Sequence, residues 1–442
     1  GPGKAVAGAD YTTTNGSVVF SAGEVLKTIS VPVLSDAETE PDETFLVNLT
    51  GAVGNYAAIL DNQATGTITV NTPGAVLISE LRTSGPGGPG DDFVEIHNNS
   101  ATPVTVGPTA WALVASNNGC GGDPVIVGLI PNGTTIPARG HFLFTGSQFS
   151  LTGHPTGDGT TIGTGDAVLL ADLGQDVNVG LFNVADILNL SSVAKLDGVG
   201  FGLNTANLCD LLREGTTLQN AMNSTSEYSF VRKMTNPGQI PVPTDANNNA
   251  TDFVVVSTTH ATAVGDNASP QLGAPGPEKR ASPNGKTLTQ IGAQLLDPAV
   301  ASSSSPNRVR TGSGNSGTVS IRRTFTNNTG GPVTALRFHF YDITAGPAPV
   351  GTADIRATSS SDTVATVTGV GVVTVRGTVL ETPPAQPNGG GLNSSMVPTN
   401  TPAQPLSTGQ PLANGQSINL QFLFNIVQAG TFRVFVTVEA LP

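Results

Sequence analysis

Charged side chains, lysine and arginine above all, are scarce in this chain of 442 residues. Charged residues make up 12% of the sequence, and 19 Lys and Arg face 32 Asp and Glu, which gives a formal net charge of −13. A surplus of carboxylates argues against a nucleic-acid partner, because binding nucleic acid requires lysine and arginine to neutralise phosphates. No apolar run reaches membrane-spanning length, so we also predict no membrane span.

The sequence also lacks the motifs that point to catalysis. Only two cysteines occur, Cys120 and Cys209, and the five histidines have no second histidine at metal-ligand spacing. Zinc motifs, the nucleophile elbow of serine hydrolases, phosphate loops and dinucleotide fingerprints are absent. We therefore predict no enzyme activity. We interpret Cys120 and Cys209 as a disulfide, with two buried free thiols as the alternative, because paired cysteines are typical of secreted proteins.

Turn-forming and strand-forming residues are abundant instead. There are 54 glycines and 32 prolines, while hydrophobic residues still make up 38% of the chain. This composition favours short strands separated by tight turns over helical bundles, and it leaves enough apolar residues for packed cores. The length corresponds to about three domains. We predict an all-β chain of three tandem, immunoglobulin-like β-sandwich domains.

The first 72 residues alternate apolar and polar positions, and strands are predicted at residues 16–20, 26–34, 44–49 and 66–70. The runs Ala-Gly-Ala-Asp-Tyr at 7–11 and Glu-Pro-Asp-Glu-Thr-Phe at 40–45 resemble the Calx-β domain, a module of sodium–calcium exchangers and many bacterial surface proteins. The resemblance implies a Calx-β-like domain over residues 1–72.

Calx-β domains begin with a first strand and most of a second that precede the Ala-Gly-Ala-Asp-Tyr element. This chain starts just before that element, so the resemblance implies a partial domain with an unpaired sheet edge and an open groove. One expectation is that a neighbouring copy donates a strand, as in donor-strand complementation of pilins. The alternatives are a truncated chain and a terminus that is shorter by nature.

The same resemblance implies a calcium site, because some Calx-β domains bind calcium through acidic residues between strands. Calcium takes about six to eight oxygen ligands, mainly carboxylates and carbonyls. The residues carried over are Asp10, Asp36, Glu40, Glu43 and Asp61. Ser35, Ala37 and Asn62 stand where calcium-binding members have acids, so we expect a weaker site or fewer ions. The alternative is that the acids support loops of a module that binds no metal.

Residues 73–273 open with two predicted strands, at 76–81 and 93–97, around a Gly-Pro-Gly-Gly-Pro-Gly loop. Ile-Ser-Glu-Leu at 78–81, Asp-Phe-Val-Glu-Ile at 92–96 and the lone Trp111 resemble the lamin-tail domain, an immunoglobulin-like β-sandwich often found in secreted bacterial proteins. Further strands are predicted at 141–145, 167–171 and 227–233, and helical turns at 182–190 and 208–213.

An Asp/Asn-rich loop follows the last of these strands. Asp245, Asn247, Asn249 and Asp252 bear oxygen side chains at a spacing that resembles the first half of a calcium loop. No glycine follows at the sixth position and no glutamate closes the loop, so an ordinary Asx turn is the favoured interpretation.

Residues 274–290 are rich in proline and glycine and are predicted to be a linker. Residues 291–442 are predicted to be a third sandwich, with strands at 319–326, 335–341, 364–367, 372–379, 418–424 and 431–438. Leu336, Phe338 and Phe340 alternate with polar residues, as do Leu420, Phe422 and Phe424, and these faces are expected to pack as its core. Residues 382–411 are predicted to be a long loop, either disordered or a contact surface.

These features favour a secreted, extracellular bacterial protein of the cell surface with a structural role. We predict a building block of a surface filament, layer or adhesive matrix, in which identical chains form a homo-oligomer or polymer by β-strand complementation. The alternative is a non-catalytic binding or adhesion appendage of a larger secreted hydrolase or nuclease. Calcium is the cofactor that the sequence suggests.

Overall fold

Almost all regular structure in this chain is β-strand, which confirms the all-β prediction. The computed structural model describes residues 3–8, 10–21, 27–32, 43–53, 59, 61–68, 75–151, 165–202, 209–219, 227–234, 241–259, 270–345, 352–399 and 411–442. The chain divides into two units, Gly1–Ala75 and Val76–Pro442. Within the described ranges, no helix has both the length and the apolar character needed to cross a bilayer.

The first unit contains one three-stranded sheet with the order β1-β2-β3. Its strands are β1 Gly3–Lys4, β2 Glu43–Asn48 and β3 Gln63–Ile68. The strands predicted at 44–49 and 66–70 correspond to β2 and β3. The strand predicted at 16–20 is wrong, since these residues pair with no other described segment, and a strand exists only where its backbone groups find a partner. The described part of the strand predicted at 26–34, residues 27–32, is likewise not a strand.

The second unit begins with a β-sandwich. Its strands are β4 Val76–Arg82, β5 Phe93–Asn98, β6 Val104–Thr105, β7 Trp111–Ser116, β8 Val125–Ile130, β9 Thr135–Ile136, β10 His141–Thr145, β11 Ala167–Val168, β12 Asn178–Phe182, β13 Lys195–Gly200, β14 Tyr228–Arg232, β15 Phe253–Ser257 and β16 Gln271–Leu272. One sheet has the order β11-β10-β5-β4-β14-β15-β16, and the other has the order β13-β12-β7-β8. Two 3-10 turns, Ile187–Asn189 and Cys209–Leu212, and the one-turn helix α1, Asn249–Asp252, lie between strands.

The core of this first sandwich lies between its two sheets. Ile78, Ile96 and Phe144 extend from the larger sheet and pack against residues such as Trp111 and Leu181 of the smaller one. A disulfide joins Cys120 to Cys209, with 5.9 Å between their Cα atoms and a sequence separation of 89 residues. The disulfide therefore closes a long loop of the chain at the end of the smaller sheet.

The second unit continues into another β-sandwich. Its strands are β17 Asn284–Gly285, β18 Ile291–Leu295, β19 Arg308–Thr311, β20 Thr318–Asn327, β21 Ala335–Ile343, β22 Asp354–Thr358, β23 Thr363–Val367, β24 Gly371–Val375, β25 Thr378–Leu380, β26 Ser395–Pro398, β27 Ser417–Gln428 and β28 Val434–Leu441. One sheet has the order β17-β28-β21-β26-β25, and the other has the order β18-β20-β27-β22, with β19 paired to β20.

The predicted core of the second sandwich is confirmed. Phe338 on β21 and Phe422 on β27 meet edge to face with their ring centroids 4.9 Å apart. Phe340 and Phe424 meet one layer along, at 6.0 Å. Since β21 and β27 belong to opposite sheets, the alternating apolar positions of the two strands form the two walls of one core.

Two segments that the sequence marks as irregular are buried between the sandwiches. The first residues of the predicted linker, 274–278, are all buried, and Ala274 donates a backbone hydrogen bond of 3.2 Å to Leu392. The predicted long loop contains β26, and its neighbouring residues 390–394 are mostly buried. The described part of that loop is therefore a contact surface, and the linker does not act as an exposed spacer.

Candidate functional site: a buried charged interface

The two sandwiches of the second unit meet through sheet faces that carry charged side chains. On β5, Val94 and Ile96 point into the core, so Glu95 and His97 lie on the opposite face of the sheet. On β21, Leu336 and Phe338 point into their core, so Arg337 and His339 lie on the outer face. These outer faces are covered rather than exposed to solvent, since Glu95 is 4% exposed and Arg337 1% exposed.

The segment 274–278 joins the two faces through hydrogen bonds to carboxylates. Glu80 accepts a bond of 3.1 Å from the amide of Gly276, and Glu95 accepts one of 2.6 Å from the amide of Glu278. From the other side, the Asn393 side chain donates to Glu80 at 3.1 Å and to the carbonyl of Ala274 at 3.0 Å. The carboxylates of the first sandwich thus hold the connecting backbone in place.

Arg337 is the central cation of this interface. Its guanidinium contacts Glu278, lies 2.7 Å from Glu381 and 3.3 Å from Glu439. Burial lowers the pKa of Arg337, but Glu381 and Glu439 outweigh that effect and raise it above its ordinary value. Burial raises the pKa of Glu439, yet Arg337 and His339 together hold it below its ordinary value. The arginine and Glu439 are therefore both charged.

Carboxylates outnumber the cations that contact them. Five buried glutamates gather here, namely Glu80, Glu95, Glu278, Glu381 and Glu439. Glu80 and Glu95 face each other directly across β4 and β5, a like-charge pairing that destabilises a sheet. Burial, followed by the charge of Glu95, raises the pKa of Glu80 to about 7. The interface thus holds more negative charge than Arg337 alone can neutralise.

Three histidines lie among these glutamates. His141 is 3.1 Å from Glu95 and 2.8 Å from Glu278, and His339 is 3.4 Å from Glu439. The ring of His97 lies edge-on to that of His141, with centroids 4.7 Å apart. Both ring nitrogens of His97 are buried without a hydrogen-bond partner. Burial, followed by the charges of His141, Arg139 and His339, holds the pKa of His97 well below 6.5.

A cavity of about 320 Å³ occupies the middle of this interface. Its wall includes Glu80, Glu95, His97, His141, Glu278 and His339. Lys233 and Arg433 also line it, and both are exposed, so the cavity reaches the surface. Glu278, His339 and Glu439 have ligand atoms within 4.8 Å of one another, a spacing that can hold a metal ion.

A second group of acids, Asp197, Glu214 and Asp245, also has ligand atoms within 4.8 Å of one another. Arg232 and Lys195 together contact all three of these acids. Arg232 lies 2.6 Å from Asp197 and 3.5 Å from Asp245, and Lys195 lies 3.1 Å from Glu214. Arg232 also donates to the carbonyl of Ile78 at 2.9 Å. This cluster therefore ties the late strand β14 to the rest of the first sandwich.

The loop with Asp245, Asn247, Asn249 and Asp252 belongs to that cluster. The amide of Asn247 donates to Asp245 at 3.1 Å, which is the Asx turn favoured from the sequence. Asn249 accepts from the amide of Gly200 at 3.0 Å, and Asp252 accepts from the amide of Asn248 at 3.1 Å. These oxygens are engaged with backbone donors and with Arg232, so the loop is a structural element.

The calcium residues implied by the Calx-β resemblance lie in the first unit. Asp10 is 6% exposed, and its carboxylate accepts a bond of 2.5 Å from the amide of Val6. Glu43 is half-buried at the start of β2, and Asp61 is exposed and accepts from the amide of Gln63 at 3.2 Å. Asp36 and Glu40 lie outside the described residues. Among the described positions, Asp10, Glu43 and Asp61 do not form a group close enough to share an ion, and the calcium site stays a prediction.

Sequence reasoning missed the charged interface altogether. The signal was present, because Glu95, His97, Arg337, His339 and Glu439 fall at the positions that alternate with core residues. Period-two alternation identifies the two faces of a strand, but it does not tell whether the polar face meets water or another sheet. The histidines have no metal-ligand spacing along the chain, and the meeting of His97, His141 and His339 in space depends on the docking of two sandwiches.

Comparison with known proteins finds a family match within the first unit. Residues 2–72 match the Calx-beta domain. A stretch of 61 residues is 43% identical to Adhesion G-protein coupled receptor V1 of Danio rerio, and it covers 14% of this chain and 1% of that protein. The Calx-β resemblance of the N-terminal region is thereby confirmed, while the chain spans only about 1% of the length of the curated relative.

A solved structure has a weaker likeness to this chain. A DUF4876 family protein from Bacteroides thetaiotaomicron aligns over 45% of this chain and 76% of its own, with 11% identity and a TM-score of 0.30. Such a score carries no argument about fold or function. The lamin-tail resemblance of residues 73–273 stays a prediction.

Proposed function

We propose that this chain is a non-catalytic, secreted structural or adhesive protein that joins neighbouring copies through its Calx-β segment. The observation that carries the proposal is residues 16–20, Gly-Ser-Val-Val-Phe. This run has the composition of a strand, yet it pairs with no described segment and lies exposed. Val19 is 71% exposed and Phe20 is 56% exposed. In β-strand complementation, an exposed strand-forming segment of one chain pairs with an open sheet edge of another.

A second feature supports the same contact. Strand β3 pairs with β2 on one side only among the described residues, and its residues 63–65 are exposed. Leu46, on the neighbouring strand β2, is 54% exposed. An open edge beside exposed apolar side chains offers both backbone hydrogen bonds and apolar area to an incoming strand.

The location outside the cytoplasm is supported by the disulfide. The bond between Cys120 and Cys209 needs an oxidising compartment to form and persist. The matched relative of the first unit is named as an adhesion receptor, which agrees with a role in surface contact. The buried ionic interface makes the two sandwiches of the second unit one body, which suits a load-bearing element.

The proposal is tested by the assembly state of the full chain. We expect size-exclusion chromatography with light scattering and negative-stain electron microscopy to show ordered oligomers or polymers. Val19→Lys should reduce assembly strongly, because a charge in the donated strand must be desolvated. Val53→Lys is the matched control, since Val53 is 96% exposed in the same unit but outside the run.

A monodisperse monomer at all concentrations, or equal assembly of the V19K and V53K variants, would contradict the proposal. A monomer would favour the alternative function, a binding or adhesion appendage of a larger secreted hydrolase or nuclease. Amorphous aggregates without a repeating contact would count against assembly as well.

A further inference from the structure

We propose that the cavity between the two sandwiches of the second unit binds a divalent transition-metal ion of the zinc type through Glu278, His339 and Glu439. The ion would link the connecting segment 274–278 to strands β21 and β28. Two carboxylates and one imidazole are a donor set that zinc accepts, whereas calcium and magnesium prefer oxygen ligands alone.

The orientation of His339 carries the first part of the argument. The Asn393 amide nitrogen donates to Glu80 and to the carbonyl of Ala274, so its oxygen is the atom that faces His339. That oxygen lies 2.8 Å from Nε2 of His339, and Nε2 must therefore be the protonated, donating nitrogen. Metal-bound histidines are commonly held in this way by a hydrogen bond from their other nitrogen.

The other ring nitrogen of His339, Nδ1, faces Glu439. Nδ1 lies 3.4 Å from Oε1 of this carboxylate. A proton or a metal ion between these two atoms makes their contact favourable. Zinc bonds of about 2.0–2.2 Å at a tetrahedral angle place two ligand atoms about 3.4 Å apart. The observed separation therefore equals the span of two ligands on one ion.

The unpartnered ring of His97 is a second and independent observation. Its two nitrogens are buried in the wall of the same cavity and have no hydrogen-bond partner. A buried polar atom without a partner is costly, and a water or ion in the cavity would supply one.

The charge of the interface also favours a bound cation. Glu80, Glu95, Glu278, Glu381 and Glu439 are all buried, and Arg337 is the arginine that contacts three of them. A divalent cation beside Glu278 and Glu439 would offset the excess that Arg337 leaves. The exposed Lys233 and Arg433 at the rim show that an entry path from solvent exists.

The test uses the full chain and zinc as the probe. After removal of metal with a chelator, zinc binding is measured by isothermal titration calorimetry and by elemental analysis after dialysis. We expect about one zinc ion per chain that is lost in His339→Gln and in Glu439→Gln. Asn393→Ala removes the oxygen that orients the ring of His339, together with the bonds from Asn393 to Glu80 and Ala274, and it should weaken binding by about 10- to 100-fold.

Glu381→Gln is the matched control, because Glu381 is buried and contacts Arg337 but lies outside the ligand group. It should keep the full zinc stoichiometry. X-ray absorption of the zinc-loaded chain separates the proposed site from surface binding, and we expect a mixed nitrogen and oxygen shell without sulfur. Equal zinc binding by the wild type and H339Q, loss of zinc in E381Q to the same extent as in E439Q, or an all-oxygen shell would overturn the proposal.

Discussion

Replacing Arg337 by methionine should destabilise the second unit strongly and in a pH-dependent way. Arg337 is 1% exposed, and it lies against Glu278, Glu381 and Glu439, which are each 3% exposed or less. Methionine keeps much of the side-chain volume but leaves three buried carboxylates without their cation. Removing one partner of a buried ion pair costs about 3–5 kcal/mol of unfolding free energy.

The direction of the pH effect follows from Glu439. Its pKa in the folded chain lies below the ordinary 4.5, so its pairing with Arg337 stabilises the fold above pH 4.5 and is lost as the pH falls below that value. In Arg337→Met the carboxylates take up protons more readily. The difference between wild type and variant should therefore be largest at neutral pH and shrink in acid.

Urea unfolding at several pH values, followed by the fluorescence of the single tryptophan and by circular dichroism, measures this difference. Trp111 lies in the first sandwich while Arg337 lies in the second, so a shift of the tryptophan signal also reports that the two unfold together. Arg433→Met is the control. Its partner Asp342 lies 2.8 Å away, but Arg433 is 67% exposed, and the change should cost about 1 kcal/mol or less. Equal effects of R337M and R433M at neutral pH, or a deficit that does not change with pH, would refute the reasoning.

Three further predictions concern single groups. Replacing both Cys120 and Cys209 by alanine should cost about 4 kcal/mol, because the bond spans 89 residues, and unchanged thermal melting would contradict this. Since burial raises the pKa of Glu80 from 4.5 to about 7, the wild type should lose on the order of 3 kcal/mol as the pH rises between these values, and Glu80→Gln should flatten that slope in denaturation curves. Calcium should raise the melting temperature of the first unit if the implied site exists, and Asp10→Asn should abolish the shift; a chelator without effect on the wild type would argue against calcium.

The sequence predicts strands well where alternation is strong and local. His141–Thr145 was predicted to the residue, and β4, β5, β20 and β21 differ from their predictions by one or two residues at the ends. Short strands such as Gln271–Leu272 and Asn284–Gly285 were missed, because two residues carry no periodic signal. Such short strands can be recognised only from the neighbouring strand with which they pair.

The proline-rich and glycine-rich segments show a different limit of sequence reasoning. Residues 274–278 and 390–394 have the composition of exposed connections, yet they lie buried between two sheets. The structure shows why small residues stand there, since a Cβ atom on Gly273 or Gly391 would overlap the carbonyl oxygen of Leu392 or Leu272. Composition marked the absence of regular structure correctly, but close passage of two backbones requires glycine as much as a turn does.

Each sandwich of the second unit has one polar face covered by the other sandwich. These polar contacts limit the relative orientations that the two sandwiches can adopt. An apolar contact tolerates sliding, whereas Glu80, Glu95 and His141 of the first sandwich each need a particular partner in Asn393 or Glu278 at a fixed distance. Any displacement of one sandwich would leave several buried charges unpaired at once, each at a cost of kilocalories. The two sandwiches are therefore expected to keep one orientation or to separate completely. A cation at Glu278, His339 and Glu439 would fasten the connecting segment to strands β21 and β28 of the second sandwich, and the amide of Glu278 is in turn held by Glu95 of the first sandwich.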